Sequence, residues 1–227
     1  MRLKVERVGA ASGFLTIAGV VANVAFTRNA PDPDQPITKI VAELSNHEDV
    51  YLATSTFVAL QAFFFLIFVS AVACVVRRAE GSDGWLWIVV ALGGAVSAVF
   101  ALASSLSLVA AVFSTHHADA GPGAVLAPYE FHTWFLVGAS VPGSAFLGAS
   151  ALAAIRYRAL PRWLGWVAGV AAVGALVGFG YIFGNELDGG PLGVVWALSG
   201  VLLLIWIAAV SVALLRMPAP GKQPATT

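Results

Sequence analysis

Long apolar runs alternate with short polar connectors along the whole chain, and the runs exceed what a strand or helix of a water-soluble fold requires. A helix needs about 20 mainly apolar residues to cross a hydrocarbon core of about 30 Å, because each residue advances it by about 1.5 Å. Six segments meet that length: Val8–Phe26, Thr54–Val76, Trp85–Phe113, Phe131–Ile155, Trp163–Phe183 and Leu192–Leu215. In lipid every backbone N–H and C=O must be paired internally, which a helix does within one segment. The pattern predicts an all-α fold, a polytopic membrane helix bundle with six transmembrane helices over residues 1–216. The polar tail, 217–227, is expected to be disordered and cytoplasmic.

Between the first two runs the pattern changes period. After the turn-rich NAPDPDQP, the stretch PITKIVAELSN places Ile37, Ile40, Val41 and Leu44 at helical spacing, with Lys39 and Glu43 opposite. This predicts a short amphipathic helix in the first outer loop, on the membrane surface or against the bundle. Ser45 or Asn46 is then placed to cap the next helix, with Glu48 and Asp49 in its first turn.

Composition agrees: 59% of residues are hydrophobic and 11% charged, and the mean hydropathy is +0.87. Twelve basic and twelve acidic residues balance, which gives no electrostatic basis for a nucleic-acid partner. The expected partners are the lipid bilayer and a membrane-protein partner. The amino-terminal run, Val8–Phe26, is 19 residues long, longer than the core of a secretory signal, about 7 to 15 residues, so it reads as a retained span.

The distribution of charge sets the orientation. Arg2, Lys4, Arg7, Arg77, Arg78, Arg156, Arg158, Arg162, Arg216 and Lys222 fall on one side of the six spans, and only Arg28 and Lys39 on the other. Basic residues stay cytoplasmic, so both termini are expected there. The opposite side holds Asp32, Asp34, Glu43, Glu48, Asp49, Asp119, Glu130, Glu186 and Asp188, and all four histidines. Trp85, Trp87, Tyr157, Trp163 and Trp166 would mark the inner boundary; Tyr51, Tyr129, Trp134, Tyr181 and Trp196 would mark the outer one.

The polar residues within the spans carry what chemistry the sequence offers. No acid or base lies near the centre of a span, where an ion-coupled transporter keeps one. Asn23 and Gln61 are candidate cavity-lining amides, or else pair helices to each other. Pro142, followed by Gly143, should bend the fourth span and is the third candidate for shaping a cavity. Gly9 with Gly13, Gly165 with Gly169 and Gly174 with Gly178 form GxxxG patterns that let helices approach closely. Cys74 has no partner and reads as a small buried hydrophobe.

One stretch, STHHADAGPGAVLAPYEFH, holds His116, His117 and His132 with Asp119 and Glu130. Three such ligands converging at about 2.0 to 2.2 Å would bind a transition metal. Solvated loop polarity and helix capping account for the same residues without metal. No phosphate-binding loop, GxSxG elbow, HExxH or dinucleotide fingerprint is present. No catalytic residue and no cofactor are therefore assigned.

The runs PDPDQPITKIVAELSNHEDVYLATSTFVALQAFFF, VVRRAEG and LPRWLGWVAGVAAVG resemble those of a broad group of uncharacterised actinobacterial six-helix integral membrane proteins. The resemblance implies an inner-membrane location and supplies no activity. Three functions fit the sequence: a non-enzymatic partner subunit or envelope factor, a small permease for a neutral or apolar solute, and an outward-facing metal-binding protein or metal-dependent membrane enzyme.

Overall fold

The computed structural model describes residues 5–28, 30–31, 35–81, 83–117, 121, 123–183 and 190–217. Arg2, Lys4, Asp32, Asp34, Asp119, Glu186, Asp188, Lys222 and the tail from residue 218 lie outside the described residues, as does the side chain of Tyr181.

The fold is all-α. The helices are α1 (Val5–Thr27), α2 (Ile37–Asn46), α3 (Glu48–Glu80), α4 (Leu86–Ser114), α5 (Gly123–Gly138), α6 (Ser140–Tyr157), α7 (Arg162–Gly178) and α8 (Pro191–Arg216), with a 3-10 turn at Phe179–Phe183. Five helical stretches are long and apolar enough to cross a membrane: α1, α3, α4, the nearly continuous α5–α6, and α8. α7 is apolar but has only 17 residues.

α1, α3, α4, α6, α7 and α8 form a closed ring, each packing on the next and α8 returning to α1. Small residues close the ring. Gly9 meets Ala71, Gly13 meets Ser211 and Phe68, and Gly165 lies against the Ala151 carbonyl, where an added Cβ would be 3.0 Å away. Close van der Waals approach of this kind drives helix association where lipid removes the hydrophobic drive. Outside the ring the helices carry apolar stripes: Trp166, Val170 and Val173 on α7 are each at least 60% exposed, as are Leu92 and Val99 on α4. Water would not tolerate so wide a patch, whereas lipid chains match it.

One end of the ring is tied by charge. Arg78 of α3 bonds Glu6 of α1, and Arg77 sits over the Trp87 ring at 4.9 Å. Glu80 accepts from the Leu86 and Trp87 amides at 3.1 Å each, which satisfies the free N–H groups that open α4.

The other end is capped by α2. Ile40 and Leu44 are fully buried in a second core with Tyr51, Leu108, Val112 and Val125, while Lys39 is exposed. Tyr129 donates from its hydroxyl to the Pro31 carbonyl and fastens the segment before α2 to α5. Tyr51 and Tyr129 are thus core residues of this cap, each under 5% exposed.

Three local expectations are corrected. Ser45 and Asn46 end α2 and do not cap α3; the Ser45 hydroxyl donates back to the Ala42 carbonyl at 3.1 Å, because α2 runs on through it. Cys74 is exposed on the outside of α3, since a helix apolar on all sides does not reveal which face meets protein. The fourth run begins earlier, at Gly123 and not Phe131, and is one span with a single turn at Ala139, across which the Ala139 and Gly143 amides still bond the Phe135 and Ala139 carbonyls. Pro142 has no N–H for the Gly138 carbonyl four residues earlier, and its ring crowds that carbonyl, so the ladder loses a rung there.

Candidate functional site

Ala139, Ser140 and Gly143, at the junction of α5 and α6, border a space at the centre of the ring. A cavity of about 400 Å³ opens there, with wall residues from α1, α3, α4, α5, α6, α7 and α8. No residue lining it is charged. Asn23 of α1 and Gln61 of α3 are both on its wall, whereas Pro142 is not; its neighbour Gly143 takes that place. Gln61 is held against α1, where a Cβ on Gly19 would stand 2.9 Å from the Gln61 Cβ. Its Oε1 is buried without a hydrogen-bond partner.

Other polar groups of the wall are already engaged. Ser97 donates to the Ala139 carbonyl at 3.2 Å, holding α4 to the junction of α5 and α6. Trp196 of α8 donates from Nε1 to Ser140 Oγ at 2.9 Å. Ser199 and Thr16 bond carbonyls of their own helices. Trp196 therefore lines the cavity and ties α8 to α6, a role the interfacial reading of that residue did not contain.

An aromatic cluster forms the floor. Phe65 and Phe146 line the cavity and meet edge to face at 5.7 Å between centroids. Trp206 packs edge-on to Phe146 at 5.5 Å and to Phe68 at 6.1 Å, and donates to the Leu164 carbonyl at 3.0 Å. Phe68, Phe146 and Trp206 are almost wholly buried. These rings lie on the side of the cavity toward Arg77 and Arg78.

The histidines do not come together. His116 Nε2 lies 2.9 Å from Glu48 Oε2, an exposed pair joining the end of α4 to the start of α3. His117 Nδ1 lies 3.1 Å from the Phe113 carbonyl, and His47 pairs with Glu43 at 3.1 Å. His132 sits inside α5: its Nδ1 is 3.0 Å from the Ser104 carbonyl, and Ser104 Oγ donates to the His132 carbonyl at 2.8 Å. That reciprocal pair joins α4 to α5. Among the described residues no three of His, Cys, Asp or Glu are grouped to hold a metal ion.

Comparison with protein families, curated proteins and solved structures finds no match to this chain.

Both amides of the cavity lining, Asn23 and Gln61, were visible in the sequence because an amide in an apolar run is conspicuous. Trp196, Ser199 and Gly200 were not, because nothing in an apolar helix distinguishes a residue facing a central cavity from one facing lipid.

Proposed function

We propose that this is a six-span protein of the inner membrane, with both termini cytoplasmic, that takes up a small uncharged molecule in the central cavity, as a non-enzymatic binding protein or permease does. The observation that carries the reading is the uncharged cavity at the centre of the helical ring, with the Asn23 and Gln61 amides in its wall. A pocket that is mostly apolar with a few placed polar groups is the usual form of a small-molecule site. A scaffold serving only as a partner subunit has no need of such a space.

Length supports a sixth span. The 17 residues of α7 cover about 26 Å at 1.5 Å each. The five residues of the 3-10 turn add about 10 Å at 2.0 Å each, and the sum exceeds the hydrocarbon thickness. An ion-coupled mechanism has no support, since the cavity offers no group to carry a proton or bind a cation.

The test is thermal unfolding of the purified protein in detergent with a panel of neutral and charged small molecules. Neutral amphipathic compounds should raise the melting temperature in a saturable manner, and Gln61→Leu should abolish the rise. A panel in which only charged compounds stabilise the protein, or in which Gln61→Leu responds like the parent, refutes the reading.

A further inference from the structure

The seam between α1 and α8 is shut at one end and parted at the other. Gly9 is packed on Leu214 and Gly13 on Ser211. All the buried residues of α1, from Glu6 to Thr16, lie in that half. On α8 five of the six buried residues, Trp206 to Leu214, lie there too. Beyond Thr16 no described residue of α1 is buried. Val24 and Val201 both line the cavity, yet they are 63% and 53% exposed. The cavity wall therefore continues between the two helices onto the outside of the bundle, within the apolar segments. Gly200 stands on this lip, and a Cβ added there would meet nothing within 4 Å.

The wall is also graded with depth. Asn23 is close to the end of α1, and Trp196, bonded to Ser140, is in the first turns of α8. Toward the middle of the membrane the wall becomes Phe65, Phe146 and Ile207. A lipid of the outer leaflet has the same polarity profile, head outward and chain toward the midplane.

We infer that the parted seam between α1 and α8 is a lateral portal, through which a single-chain, uncharged amphiphile ending in a hydroxyl enters the cavity from the outer leaflet. This rests on the reading of the cavity as a binding site. The size fits one chain: about 400 Å³ is at the small end of ligand pockets, which span roughly 300–1,000 Å³. A charged headgroup is excluded by an uncharged wall, which has nothing to offset its desolvation. A hydroxyl suits the Asn23 and Gln61 amides of the wall, since an amide can both donate to it and accept from it.

The experiment uses the full chain with Cys74→Ala and Gly200→Cys, reconstituted in vesicles. The thiol is offered either a maleimide on an alkyl chain dissolved in the bilayer or a charged maleimide in the outer water. The alkyl reagent should react about ten-fold faster or more, because the charged one pays to leave water. Dodecanol at saturation should slow the alkyl reaction about ten-fold by occupying the site, and Gln61→Leu should remove that protection. Equal or faster reaction with the charged reagent overturns the portal; protection by a water-soluble neutral diol would then leave the binding site standing. Absence of protection by both dodecanol and the diol overturns portal and binding site together. If Gly200→Cys does not elute as a single species with the parent melting temperature, Val201→Cys replaces it, with the same outcomes.

Discussion

Gly93 of α4 faces Pro142 of α6 backbone to backbone: a Cβ on Gly93 would stand 2.8 Å from the Pro142 carbonyl oxygen and 2.8 Å from the Phe146 amide nitrogen. The piece of helix beyond Ala139 therefore leans directly on α4, and neither backbone can yield cheaply. Gly93→Leu should destabilise the protein by about 1–3 kcal/mol or more through overpacking, read as a lower melting temperature in detergent. Gly148, where a Cβ meets nothing within 4 Å, is the control; Gly148→Leu should leave the melting temperature unchanged.

The reciprocal bonds of Ser104 and His132 predict two separate losses. Ser104→Ala or His132→Ala alone should each cost about 1 kcal/mol, the usual scale for a hydrogen bond between membrane helices. The double variant should cost close to the sum of the two, because each side chain bonds the other residue's backbone carbonyl, which the other substitution leaves in place. A double variant no worse than either single one would show that the two bonds form only together.

Metal should have no effect. The described histidines are engaged with Glu43, Glu48, Phe113 and Ser104 in separate places. Zinc added in equimolar amount should therefore not raise the melting temperature of the parent or of a His116→Ala, His117→Ala, His132→Ala variant. His116→Ala alone should change stability by less than about 1 kcal/mol, since an exposed ion pair contributes no more than that.

The aromatic floor separates packing from hydrogen bonding. Trp206→Ala should cost about 3–5 kcal/mol, the range for truncating a large buried aromatic. Trp206→Phe keeps the edge-to-face contacts and loses the bond to the Leu164 carbonyl, so its cost should be about 1 kcal/mol. Chemical denaturation in mixed micelles distinguishes the two.

The proposed orientation is checked by single cysteines in the Cys74→Ala background. Thr115→Cys should react with an impermeant thiol reagent on intact cells, and Arg158→Cys only after lysis. The reverse pattern would invert the bundle.

Sequence alone determined the all-α class and the positions of the long apolar helices, because the need to pair every backbone amide in lipid leaves a run of that length one local solution. It located α2 through its period, and it singled out Asn23 and Gln61 because amides are rare in such runs. The arrangement around them was decided by the tertiary structure. The face of α3 that carries Cys74, the turn of Trp196 inward, the burial of His132 against Ser104 and the parting of α1 from α8 all depend on which helix is the neighbour. Lipid and a protein core are equally apolar, so the hydrophobic pattern cannot rank the faces of a membrane helix. Only close contact with another helix does.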